Sequence, residues 1–88
     1  MRQVIQLAKT LHWRVYHPGL SKWSERGWPD LAMVRGNRLI LSELKSDKGK
    51  LTDAQEEWIE ALGETYAEVY VWRPTDWDAI LKTLAGPR

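Results

Sequence analysis

The chain of 88 residues reads as one α/β domain, a mixed β-sheet flanked by helices. Three observations predict this class. Apolar residues recur at helical spacing near both ends and once in the middle, with strand-length apolar runs between them. Two of those runs, LAMV and LILS, flank Gly36-Asn37, a two-residue hairpin signal with glycine favoured at the first turn position. The last strand-like run is separated from the hairpin by a helix, and such a crossover joins parallel strands. The predicted order is αβββαβα.

Val4, Leu7, Ala8 and Leu11 share one helical face, so residues 2–12 are expected to form an amphipathic helix. Residues 13–17, WRVYH, alternate and are rich in strand formers, and Pro18-Gly19 ends that strand. Residues 18–29 form a long loop, and loops of about a dozen residues in a compact domain tend to be functional or mobile. The hairpin at 31–45 follows, then a polar turn over 46–50. Thr52-Asp53-Ala54-Gln55 has the form of a capping box, opening a helix over 53–62 with Ala54, Trp58, Ala61 and Leu62 as its apolar stripe. Gly63 is the expected C′ residue. Residues 67–72, AEVYVW, read as the fourth strand. Pro74 breaks the chain, and residues 76–85 form a last helix with Ile80, Leu81 and Leu84 facing inward.

Composition narrows the class. Eighty-eight residues leave no room for a second core. With 43% hydrophobic and 28% charged residues the chain is ordinary for a globular protein, and no apolar run is long enough to span a membrane. No signal-peptide pattern opens the sequence, so a cytoplasmic location is expected. The absence of cysteine removes disulfides and thiolate metal sites, and two histidines make a structural zinc site improbable. Net charge is +1, yet residues 1–50 carry ten Lys/Arg against four Asp/Glu, while residues 51–88 carry three against eight. A basic half beside an acidic half is the footprint of a phosphate-binding face with a solvated back.

The chemistry concentrates between Gly27 and Lys45. With Gly36 and Asn37 at the turn, Arg35 faces Arg38, Met33 faces Ile40 and Asp30 faces Glu43. Opposed residues of an antiparallel pair hold their Cβ atoms about 4.5–5.5 Å apart on one face. Lys45, two residues beyond Glu43, projects to the same face. Two opposed carboxylates repel, and folding has no need of them beside apolar strand residues. A hard divalent cation such as Mg²⁺ resolves the repulsion, and a neighbouring lysine can orient a water or neutralise charge on a phosphate. The alternative is a solvated edge hairpin, which the apolar residues on both faces of the flanking runs oppose.

Gly27-x-Pro29-Asp30, then Glu43-Leu44-Lys45, then Gln55 on the next helix, resembles the virus-type replication-repair nuclease (VRR-NUC) domain of the PD-(D/E)XK nuclease superfamily. The resemblance covers nearly the whole chain and implies a restriction-endonuclease-like core. It implies Asp30 and Glu43 as ligands of Mg²⁺ or Mn²⁺, Lys45 as the catalytic lysine, Gln55 near the site, and phosphodiester cleavage in DNA. Members of the group often carry a further acidic residue on the first helix. Here only Gln3 and Gln6 stand there, so either the natural start lies upstream of Met1 or the ligand set is reduced.

Other residues admit two roles. Gln55 can close the capping box on Thr52 as readily as it can serve the metal site. Trp58, Trp72 and Trp77 fall in regular elements and read as core or interface. Trp23 and Trp28 lie in the basic loop and suit either nucleic-acid contact or loop packing. His17, Ser21, Lys22, Ser24, Arg26, Lys48 and Lys50 are the candidate phosphate contacts, with hydrogen-bonding or solvated structural roles as the alternative.

The leading expectation is a metal-dependent, structure-selective DNA endonuclease in phage or mobile-element replication, repair or recombination, acting in a bacterial host and extending to Holliday-junction resolution. A non-catalytic DNA-binding module of the same fold with an incomplete metal site is the alternative, and a tryptophan-rich protein-interaction domain is a third. A marginal core and paired cuts at a junction both favour a homodimer acting on branched DNA.

Overall fold

The computed structural model describes residues 2–18 and 25–87. Its elements are α1 (Arg2–Thr10), β1 (Arg14–Tyr16), β2 (Leu31–Arg35), β3 (Arg38–Leu44), α2 (Asp53–Gly63), β4 (Glu68–Trp72), a 3₁₀ turn (Pro74–Asp76) and α3 (Trp77–Ala85). The four strands form one sheet in the order β1-β2-β3-β4. The first three pair antiparallel, and β4 joins β3 in parallel, as the helical crossover requires. The α/β class and the mixed sheet flanked by helices are as expected, and both suit a restriction-endonuclease-like core. No described helix is long and apolar enough to cross a membrane.

The hairpin register follows from its turn. Only Gly36 of the turn pair has positive φ, at 61°, as at the first position of a II′ turn. Arg35 then pairs with Arg38, Met33 with Ile40 and Leu31 with Ser42. Strand alternation sends Leu31, Met33 and Ile40 to one face, where they pack with Val4, Ala8, Trp13, Trp72, Ile80 and Leu84 in the core under α1 and α3. No α2 residue joins that cluster, and α2 instead packs along β4.

Two like charges meet at the hairpin end, and the fold disposes of both. Arg35 and Arg38 lie over the Trp13 ring at 4.7 and 5.1 Å from its centre. Arg35 donates to the carbonyls of Leu11 (3.2 Å), Leu84 (2.8 Å) and Gly86, while Arg38 donates to that of Thr83 at 3.1 Å. Trp13 Nε1 donates to the Leu84 carbonyl at 2.9 Å. Apart from Leu11, which follows α1, these are carbonyls at the C-terminal end of α3, where helical partners run out. Arg38 also grips Glu68 with two bonds of 2.7 and 2.6 Å, and the contact lowers the Glu68 pKa. The basic half predicted from charge counting therefore spends two of its arginines inside the fold.

Several boundaries differ from expectation. α1 stops at Thr10, and Trp13 precedes β1, because His12 adopts φ 71° and closes the helix. The His12 amide donates to Lys9 O at 3.0 Å and the Trp13 amide to Ala8 O at 2.9 Å, a Schellman closure with histidine in place of glycine. Gly63 is the last residue of α2 rather than its C′ residue, and Glu64 caps the helix in right-handed geometry. Pro74 opens the 3₁₀ turn at its first position, where its missing N–H costs nothing. On α3, Ile80 and Leu84 are buried as expected, but Leu81 is 42% exposed and Trp77 is 38% exposed. α3 turns only one narrow stripe toward α1 and the sheet, so the flanking positions stay in solvent.

Candidate active site

The site begins with how residues 25–30 are held. Gly27 has φ 87°, and a Cβ there would lie 2.5 Å from the Ala54 carbonyl carbon. Glycine is required twice over, by conformation and by backbone contact with the first turn of α2. Trp28 meets Trp58 edge-to-face with ring centres 4.9 Å apart, and Trp58 Nε1 donates to the Arg26 carbonyl at 3.1 Å. Pro29 is fully buried. This segment is thereby docked on α2, which fixes where Asp30 enters the sheet. Trp28 and Trp58 serve packing, the second of the two roles open to Trp28.

Continued one residue beyond Leu31 and Ser42, the hairpin register sets Asp30 opposite Glu43. Asp30 Oδ2 accepts the Leu44 amide at 2.8 Å. Glu43 is 2% exposed on the central strand, and its Oε2 has no hydrogen-bond partner. Burial, then hydrogen bonding to and repulsion from Asp30, push the Glu43 carboxyl up to about 8, against the opposing pull of the Lys45 charge and the Leu44 amide. An orphaned buried carboxylate oxygen beside a second carboxylate is a donor set suited to a hard cation. Among the described residues no third Asp, Glu, His or Cys joins them.

Lys45 follows β3 directly, and its amide donates to the Trp72 carbonyl at 2.9 Å, so the backbone beneath it is tied to β4. Lys45 is also among the residues that line a cleft with Gln3 of α1. Sequence reasoning missed what holds the next turn. Arg73 Nη1 donates to the carbonyls of Ser46 and Gly49, both at 2.6 Å, and Asp47 Oδ1 accepts the Thr75 amide at 3.3 Å. No local pattern signals these contacts, because the partners are 24 to 28 residues apart.

Asp30, Glu43 and Lys45 are brought together. Gln55 is engaged elsewhere: its Oε1 accepts the Thr52 amide at 2.9 Å, and Thr52 Oγ1 accepts the Gln55 amide at 3.2 Å. The capping box is complete, and Gln55 lies near Gly27 and Arg26 in a shallow depression. His17 is half-buried just past β1, whereas Arg26, Lys48 and Lys50 are exposed. Ser21, Lys22, Trp23 and Ser24 lie outside the described residues.

The profile of the VRR-NUC domain matches residues 9–76, which include Gly27, Pro29, Asp30, Glu43, Lys45 and Gln55. No curated protein and no solved structure matched the chain. With more than half of its length matched, carrying the hairpin and both of its acidic residues, the chain belongs to the VRR-NUC family of DNA-acting nuclease domains.

Proposed function

We propose that this chain is a metal-dependent DNA endonuclease selective for branched structures. The observation that carries the reading is the buried, unpartnered Oε2 of Glu43, placed beside Asp30 at the end of a rigid hairpin with Lys45 next to it. Asp30 and Glu43 would hold Mg²⁺ or Mn²⁺, which supplies Lewis-acid polarisation of a phosphate oxygen and of water. The protein's own contributions are separable. Asp30 stays oriented because its second role, accepting the Leu44 amide, anchors one oxygen. Lys45 donates to the attacking water or to a non-bridging oxygen as water adds to phosphorus and one P–O ester bond breaks. Exposed Lys48, Lys50 and Arg26, with His17, Ser21, Lys22 and Ser24, are the proposed contacts to flanking phosphates.

We place its action in phage or mobile-element DNA metabolism in the cytoplasm of a bacterial host, and its active form as a homodimer. Tyr16 (63% exposed), Val34 (45%) and Leu39 (40%) share one sheet face in the register of β1, β2 and β3, which supports self-association. Paired sites would allow the two symmetric cuts that a four-way junction needs.

The test is cleavage of supercoiled plasmid, linear duplex and a four-way junction in Mg²⁺ or Mn²⁺ against EDTA. Metal-dependent cutting that prefers the junction is expected, and no cutting under any metal would sink the reading. One observation favours a non-catalytic DNA-binding module instead: the cluster has only two carboxylates among the described residues. Junction binding without cleavage would establish that alternative.

A further inference from the structure

The cleft that Lys45 lines continues past Gln3 to Pro74 and Trp77. Trp13 and Trp72 are buried to 3% and 4% exposure, whereas Trp77, which lines this cleft, is 38% exposed. Its position is braced on the turn that follows Lys45. Arg73 bonds to the Ser46 and Gly49 carbonyls, the Thr75 amide to Asp47 Oδ1, and the Arg73 amide to Asp76 Oδ2 at 2.9 Å. The 3₁₀ turn that leads into α3 and the turn after β3 are therefore tied together, which sets the backbone of Trp77 relative to that of Lys45. Gln3, exposed on the first turn of α1, adds an amide that both donates and accepts.

We infer that Trp77, with Gln3, forms a stacking subsite for one unpaired nucleobase adjacent to the phosphate that Lys45 addresses. This rests on the nuclease reading for the role of Lys45 and extends it to the substrate. An indole, an amide and a lysine lining one cleft supply the chemistry that the base and phosphate of a single nucleotide require. Stacking on an indole tolerates any base, so the subsite reads pairing state rather than sequence. A base inside a duplex must first be unstacked and unpaired, while a base at a flap or branch has already left the stack. The subsite thus supplies a physical reason for preferring flaps, forks and junctions over duplex. The arginines at the opposite end of the hairpin give no such platform, since Trp13 is covered by Arg35 and Arg38.

The experiment uses the full chain in EDTA, so that no cleavage is needed. The probe is a flap oligonucleotide with 2-aminopurine at the first unpaired position, against a fully paired duplex of the same sequence. Wild-type protein should quench 2-aminopurine fluorescence and bind the flap more tightly than the duplex. Trp77→Leu keeps an apolar side chain without a π-face. It should restore the fluorescence and weaken flap binding by about ten- to a hundred-fold, leaving duplex binding unchanged. Trp77→Phe should recover part of both. If a Trp77→Leu protein with wild-type circular dichroism still quenches and still prefers the flap, the subsite does not exist. If that variant instead converts a dimer to a monomer with quenching intact, Trp77 belongs to a contact between copies and the inference falls. Should Trp77→Leu fail to fold, Gln3→Ala at its exposed position decides: an unchanged flap preference overturns the subsite. A wild-type protein that quenches but never cuts in Mg²⁺ or Mn²⁺ supports the subsite while removing the nuclease reading.

Discussion

Asp30 stands opposite Glu43 on one hairpin and takes the hydrogen bond of the Leu44 amide, which also pulls on the Glu43 carboxyl. Asp30 Oδ2 accepts that amide at 2.8 Å, whereas Glu43 Oε2 is buried and unpartnered. If the pair holds a cation as proposed, removing either carboxylate should weaken its binding. Glu43→Gln and Asp30→Asn are each expected to abolish cleavage and to lower Mn²⁺ affinity at least tenfold by titration calorimetry. Unchanged Mn²⁺ affinity in both variants would show that the cation is held elsewhere.

The raised Glu43 pKa has a definite sign in stability. Between the ordinary carboxylate value of 4.5 and about 8, the folded metal-free protein keeps a proton that the unfolded chain has released. The neutral carboxyl therefore contributes stability that is fully present below 4.5 and is lost as pH rises through about 8. Thermal unfolding in EDTA should show a falling Tm from pH 5 to pH 9, and Glu43→Gln should flatten that slope, with its gain over wild type vanishing near pH 5. Metal must displace the same proton, so Mn²⁺ affinity should rise up to about tenfold per pH unit below 8. Calorimetry in two buffers of different ionisation enthalpy should find close to one proton released per metal at pH 6.5.

Lys45 and Gln55 separate chemistry from architecture. Lys45→Ala should lose most of the cleavage rate with metal affinity retained, because its proposed role is at the water or the phosphate. Gln55→Ala should cost about 0.5–1 kcal/mol through the broken capping box, a Tm fall of about 2–8 °C, with the cleavage rate at 25 °C within a few-fold of wild type. A Gln55→Ala protein of normal Tm and greatly reduced rate would return that side chain to the catalytic site.

Gly27 should be intolerant for a reason unrelated to catalysis. Alanine there would combine an unfavourable φ with a Cβ 2.5 Å from the Ala54 carbonyl carbon, and α2 backbone cannot yield as a side chain tip would. Gly27→Ala is expected to destabilise by about 2 kcal/mol or more and to displace Asp30. Loss of Mn²⁺ affinity greater than the change in folded fraction, measured together by calorimetry and circular dichroism, checks the second part.

The sequence by itself determined the features that depend on neighbours in the chain. A two-residue turn at Gly36-Asn37 leaves one register for two apolar strands, so the facing of Asp30 and Glu43 was legible, as was Lys45 on the same stretch. The capping box of Thr52 and Gln55 is likewise complete within four residues. The helix between the hairpin and β4 implied the parallel pair. Only the tertiary structure decided the rest. Periodicity shows that α3 has an apolar stripe but not how wide a strip its neighbours cover, which is why Ile80 and Leu84 are buried while Leu81 and Trp77 are not. The closure of α1 at His12 lacks its usual glycine signal, and the buried pair it unites, Ala8 and Trp13, supplies the stabilisation instead. Charge counting includes Arg35 and Arg38 in the basic half without saying where they point, and they answer carbonyls at the end of α3 some 45 to 51 residues away. Turn geometry and capping are settled over a few residues of backbone. Burial and charge pairing depend on which distant segments meet, and that is set only when the whole chain packs.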